Sequence, residues 1–283
     1  MKFTSFNQVF DFLKNNPDYH LNGTEKYMKV SDAIKLFVKS TDLTKKENHI
    51  DFGVFGNIKF GYFNMGAIDS LDLFGMDELI IFCIYQKLKN KVNKAIDFGA
   101  NIGLHSLVMG RMGWKVGAFE PDEKHFLKLK QNLSENKLSH LVNPIKKAVW
   151  INNDGVQFTR VLGNTTGNHV VGMKSSYGKL EHIHVETVTF EDVIKNVDFI
   201  KLDVEGAEGE LVKSLKNIKK IPKNIKIILE ISERSREPIF NFAKKTNLKL
   251  FCQKLGWKAA ARVSDLPLSH RDGSVLCSSD SPF

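Results

Sequence analysis

The chain has 283 residues, 42% of them hydrophobic and 26% charged with only 7 prolines, which suits a soluble globular protein with ample core material and excludes a disordered one. The formal net charge of +9 comes mostly from lysine, with arginine at scattered sites such as Arg111, Arg160, Arg234 and Arg236. A nucleic-acid reader would gather arginine and aromatic residues on one face, so no nucleic-acid partner is expected.

Phe3, Phe6, Phe10 and Leu13 lie near helical spacing, and Asp11 and Lys14 interrupt them before a signal-peptide core is reached. Residues 1–40 therefore predict two amphipathic helices rather than a targeting signal, and residues 50–63 a Gly-broken, aromatic-rich pair of strands. Residues 1–75 are expected to form a small α+β extension or cap. A helix follows at 76–89, whose apolar run Leu79–Tyr85 is far short of the roughly 20 residues that cross a bilayer, so no membrane span is expected.

From residue 95 strands and helices alternate: strands at 95–98, 115–119, 142–149, 198–203, 226–231, 249–253 and 274–278, with helices at 104–112, 123–136, 207–215 and 238–245 between them. Such alternation predicts an α/β domain over 76–283, a mostly parallel seven-stranded sheet with helices on both faces. Polar, Gly-containing turns within 151–190 separate β-like stretches, an inserted antiparallel segment near the active-site edge. The densest basic stretch, Lys213 to Lys226, reads as a solvated helix end and loop. Cys83, Cys252 and Cys277 stand far apart without paired Cys or His neighbours, so neither a disulfide framework nor a zinc site is suggested, and a cytoplasmic setting fits best.

In an open parallel sheet the ligand lies beyond the carboxyl ends of the strands, where the first strand turns into its helix. That turn reads Asp97-Phe98-Gly99-Ala100-Asn101-Ile102-Gly103, and its two glycines let the backbone pass close to a ligand. A dinucleotide fingerprint needs glycine where Asn101 stands, so a pyrophosphate is disfavoured. Asp97 suits a cationic amino-acid moiety, reached directly or through water, and Asn101 suits its carboxylate. Glu120, about twenty positions after Gly99, stands where an acidic side chain accepts both ribose hydroxyls, and Pro121 ends that strand. A cation, a carboxylate and a ribose together describe S-adenosylmethionine. His105, in the first helical turn, is as suited to capping or packing as to touching the ligand.

At the end of the fourth strand, Asp203, Glu205 and Glu208 converge. Asp203 is placed to touch the methionine part or to take the proton of a substrate hydroxyl, and close like charges would raise at least one pKa as a base requires. Glu205 and Glu208 equally suit a helix's positive end. Glu230, at the same edge, would join Asp203 in an oxygen-ligand site for a divalent metal, although no metal is expected. Lys201 is read as structural.

Residues 95–232 resemble the FkbM family of methyltransferases, in which a DxGANxGxxS turn, an FEP strand end and a DFIKxDVEGxE segment occur in that order. Here these are Asp97–Ser106, Phe119–Pro121 and Asp198–Glu208. The resemblance implies a class I, Rossmann-like methyltransferase fold and methyl transfer from S-adenosylmethionine to oxygen, often on a sugar or polyketide-type product. The acceptor is thus expected to be a small molecule or glycan, recognised by the N-terminal extension and by Asn164, Thr165, Thr166, Asn168 and His169 of the insertion. Asp203 is the first choice of catalytic base, with Glu205 or His169 second, and the expected cofactor contacts are Asp97, Gly99, Ala100, Asn101, Gly103, His105, Glu120, Pro121 and Asp203. An NAD-dependent sugar oxidoreductase and a non-catalytic glycan-binding protein are the alternatives on the same fold. A homodimer is compatible with the sequence.

Overall fold

A computed structural model describes residues 1–41, 43, 49–175, 178–216 and 221–283. The N-terminal extension consists of α1 (Phe6–Asn15), α2 (Glu25–Ser40), β1 (Ile50–Asp51) and β2 (Asn57–Ile58). Ser5 and Thr24 accept hydrogen bonds from backbone N–H groups in the first turns of α1 and α2, which fixes where each helix begins. The predicted aromatic strand pair is reduced to two paired residues on each side, because a 3-10 turn at Gly53–Phe55 occupies the middle.

Next come α3 (Met76–Leu88), β3 (Lys94–Phe98), α4 (Leu104–Arg111), β4 (Lys115–Phe119), α5 (Glu123–Glu135) and β5 (Val142–Ile145). The inserted region holds β6 (Ala148–Trp150), β7 (Val156–Val161), β8 (His169–Val170), β9 (Leu180–Val185), β10 (Thr187–Thr189) and α6 (Phe190–Val193). The chain ends in β11 (Phe199–Leu202), α7 (Glu208–Lys213), β12 (Lys226–Leu229), α8 (Arg236–Thr246), β13 (Lys249–Cys252), β14 (Lys258–Ala259) and β15 (Val275–Ser278).

The main sheet runs β14-β13-β15-β12-β11-β3-β4-β5. Strands β5, β4, β3, β11 and β12 are parallel, whereas β15 is wedged antiparallel between β12 and β13. The sheet has eight strands rather than the expected seven because β14 adds an antiparallel edge to β13. The strand expected over 142–149 is interrupted. A tight turn, with the Lys147 N–H donating to the Ile145 carbonyl, ends β5 and sends β6 away to pair with β10. The insertion forms an antiparallel sheet, β8-β7-β9, as its alternating pattern indicates. Of the basic stretch 213–226, residues 217–220 lie outside the described residues, as do residues 176 and 177 of the insertion's last turn; Lys213 is exposed and pairs with Glu210.

Alternation along the strands sorts side chains into two cores. Ala95, Val116 and Ala118 join α3, α4 and the N-terminal phenylalanines on one face, while Ile96, Phe98 and Phe119 join α7 and α8 on the other. Phe6, Phe10, Phe52, Phe55, Phe74 and Phe82 form a chain of edge-on and tilted rings, so the extension shares its core with α3. His20 fastens the extension to the C-terminal part: its Nε2 donates to the Leu13 carbonyl and its Nδ1 accepts from the Trp257 indole at 3.0 Å.

That arrangement requires a neutral ring, and burial lowers the His20 pKa from 6.5 to about 4. The full contribution is present above pH 6.5. As pH falls from there towards 4, the unfolded chain takes up a proton that the folded chain refuses, costing on the order of 3 kcal/mol. Urea midpoints measured at pH 7.5 and pH 4.5 are expected to show this loss in the wild type. His20→Gln is expected to be less stable at pH 7.5 and to show a smaller fall between the two.

Candidate active site

The cleft opens where the parallel strands end. Gly99 adopts φ +74°, and a Cβ there would collide with the Asp203 carbonyl oxygen. Gly103, at φ +91°, faces Leu129 in the same way, since a Cβ at that position would run into its Cδ1. The glycines thus admit neighbouring protein atoms, β11's exit and α5, rather than the ligand alone. Asn101 is itself in the left-handed region, φ 51°, which its short polar side chain tolerates.

Around this turn lies a partly open cleft of about 130 Å³. Gly99, Ala100, Asn101, Gly103, His105, Glu120, Pro121, Asp203 and Glu205 all line it, so most of the expected contacts are brought together. Asp97 is fully buried behind the turn, where its Oδ2 accepts a 2.6 Å hydrogen bond from Ser106 and its Oδ1 has no partner among the described residues. The Asn101 Oδ1 is also buried without a partner among them. Such orphaned acceptors suit a ligand bearing N–H or O–H donors.

Glu120 sits at the end of β4, its Oε2 accepting the Asn101 N–H at 2.9 Å and its Oε1 the Asp122 N–H at 2.8 Å. Each oxygen retains a second lone pair for a hydroxyl donor. Burial pushes this carboxyl from 4.5 up to about 8, against the pull of those two N–H groups.

Lys201, read from sequence as more structural than catalytic, shares the face of Asp203 as strand parity requires, lines the cleft and donates to Asp203 Oδ2 at 2.8 Å. Burial opposes its charge, but the carboxylates of Asp203, Asp97 and Glu78 outweigh that and hold the ammonium protonated. Asp203 is correspondingly held below the usual carboxylate range: burial raises it, and Lys201 more than reverses the effect. The raised carboxyls of the cluster are Glu205, Glu208 and Glu230 instead, burial being the largest cause in each. Glu208 is structural in geometry, accepting the Val204 and Gly206 N–H groups and closing the turn before α7. Glu205, at φ 55°, reaches out to pair with Lys174.

His105 Nδ1 accepts from the Tyr85 hydroxyl at 2.8 Å, and its Nε2 donates to Glu78 at 2.6 Å. Glu78, which in sequence is no more than a charge at the start of an apolar helix, thereby reaches the cleft; Lys147–Val149 and Phe158 are further wall residues that no local pattern marks. Their signal lies in topology, since β5 ends at the same edge as the Gly99 turn. His169 is not brought to the cleft. Asn168, just before β8, and Val170 within it face the cleft, and the intervening His169 turns away, buried, with Nδ1 donating to the Gly167 carbonyl. Among the described residues, no group of three or more His, Cys, Asp or Glu side chains is arranged to hold a metal ion.

Residues 97–255, more than half the chain, match the family described as the methyltransferase FkbM domain. No curated protein matches. Solved structures with a similar chain course include the precorrin-6y C5,15-methyltransferase of Geobacter metallireducens GS-15, at 10% identity, covering 61% of this chain and 73% of that one with a TM-score of 0.38. A methyltransferase from Geobacter sulfurreducens is 12% identical, with 69% and 75% covered and a TM-score of 0.38. The N-terminal domain of human METTL16, in complex with SAH, is 17% identical, with 71% and 69% covered and a TM-score of 0.36. With the family's motifs matched and gathered at one sheet edge, the chain belongs to the FkbM methyltransferase family and is an S-adenosylmethionine-dependent methyltransferase.

Proposed function

We propose that the enzyme methylates a hydroxyl oxygen, on a sugar, glycan or related small molecule, with Asp203 as the proton acceptor. The observation that carries this reading is the Lys201–Asp203 pair at the inner end of the cleft. When bound, S-adenosylmethionine supplies a methyl group on a sulfonium, an already activated leaving group. The protein's work is then to align the acceptor and dispose of its proton.

Asp203 is suited to the second task because Lys201 keeps it ionised. A hydroxyl oxygen becomes strongly acidic as its new bond to the methyl carbon forms, so even a weakly basic carboxylate takes its proton. As the acceptor oxygen takes the methyl group that a bound cofactor would supply, Asp203 would receive the hydroxyl proton. Glu205, on the cleft wall and tied to Lys174, is a second carboxylate within the same cluster. For the cofactor, the Asn101 side chain suits the amino-acid part and Glu120 suits the ribose, while Phe158, Val149 and Val170 offer an apolar wall for the adenine; Asp97, buried behind the turn and outside the cleft lining, would act only from behind it.

Asp203→Asn is expected to leave S-adenosylhomocysteine affinity within about threefold while lowering turnover roughly 10²-fold or more; unchanged turnover would remove Asp203 from this role. Glu120 supplies a second expectation. Two ribose hydroxyls donate best to the ionised carboxylate, which is the minor form at pH 7 when its pKa is about 8. Calorimetric affinity for S-adenosylhomocysteine is therefore expected to rise roughly tenfold from pH 7 to pH 9, and Glu120→Gln to bind more weakly with that slope removed.

A further inference from the structure

Glu78, Lys201 and Asp203 have two sides. On one they line the first cleft, and on the other they form the floor of a second, open chamber of about 460 Å³. Its walls come from parts of the chain distant in sequence: Asn22, Tyr27 and Ser31 of the extension, the end of β12 at Glu230, and Arg271 and Ser274 before β15. A hydrogen-bond frame holds these walls in place. Asp77 accepts from the Tyr27 hydroxyl at 2.7 Å and from the Gln253 amide at 2.6 Å; Gln253 also receives the Ser274 N–H, and Asn22 donates to the Arg271 carbonyl. The chamber is thus preformed.

Within it the charges are unequal. Asp72, Asp77, Glu78 and Asp203 stand against Lys201 and Arg271, and Lys201 is already paired. Glu78 is engaged by His105 and Asp77 by Tyr27 and Gln253, whereas Glu230 has no hydrogen-bond partner among the described residues. A phosphate or carboxylate brought into this chamber would be desolvated beside several like charges, at a cost that Arg271 would have to offset. Hydroxyl groups meet no such cost, and Glu230 is open to bond them. Burial beside Asp203 also makes that carboxyl hold its proton well above the usual range, so it both donates and accepts.

We propose that this chamber is the acceptor site, that it presents the acceptor to the methyl group across the Lys201–Asp203 pair, and that it selects an uncharged, hydroxyl-bearing molecule over an anionic one. The proposal rests on the methyltransferase reading above. It also reassigns the insertion loop: Thr165, Thr166 and Asn168 line the cofactor cleft beside His125, not the chamber.

The test uses methyl-labelled S-adenosylmethionine with a panel of methyl glycosides, uronates and sugar phosphates, with parallel titration of S-adenosylhomocysteine. Wild-type enzyme is expected to label methyl glycosides about tenfold or more over the anionic sugars. Ser31→Trp, which fills the chamber from α2 without touching the cofactor cleft, is expected to lose about tenfold or more of that transfer while its affinity for S-adenosylhomocysteine stays within about twofold. Glu230→Gln is expected to lower kcat/KM with cofactor affinity unchanged, and it decides the matter should Ser31→Trp fail to fold. Transfer undiminished in a variant that binds S-adenosylhomocysteine normally would overturn the site; preference for the anionic sugars, or no labelling of any panel member, would overturn the selectivity. Failure of the wild type to bind S-adenosylhomocysteine would instead overturn the reading on which both rest.

Discussion

At the centre of the molecule two adjacent parallel strands, β3 and β11, end side by side, with Phe98 opposite Leu202. The chain must turn away from both ends within the same few ångströms, and the Gly99 backbone passes against the Asp203 carbonyl as it does so. The Asp203 N–H also donates to the Phe98 carbonyl at 3.2 Å, so the two turns are fastened together. Any side chain at position 99 would separate them. Because one turn carries the Gly-rich motif and the other the acidic cluster, the spacing between the two is set by backbone packing rather than by mobile side chains.

Electrostatics completes what packing begins. Placing Asp97, Glu78 and Asp203 around one edge is costly unless a cation is shared among them, and Lys201, rising from the middle of β11, is that cation. Its ammonium keeps Asp203 ionised, while burial and the nearby Asp203 charge make Glu205 and Glu230 hold their protons more tightly. Carboxyl groups of similar intrinsic acidity are thereby given different protonation states by their surroundings.

Much of this is legible in sequence because it depends on local rules. The alternation in Ala95–Phe98, the Gly-rich turn and the acidic strand ends each follow from spacing, and they point to the sheet, the cofactor loop and Glu120. What escapes depends on partners far along the chain. Lys201 has the parity of Asp203, but a buried lysine is exceptional until Glu78, more than a hundred positions away, is known to face it. His169 fails by a single residue, since strand parity and not side-chain chemistry decides which of Asn168, His169 and Val170 meets the cleft. The conformational role of the glycines is plain from the turn they stand in, yet the atoms crowding them belong to Asp203 and Leu129, which no local pattern reveals.

The clamp between His20 and Trp257 joins residues 237 positions apart, whereas the cofactor cleft is lined wholly by residues between Leu73 and Ala207. Contacts of such long separation carry the greatest loop-closure cost. During synthesis, therefore, a nascent chain has every residue that lines the cleft in hand while the opposite chamber still lacks Arg271 and Ser274, so the proposed acceptor site would be completed only after the cleft's residues are all made.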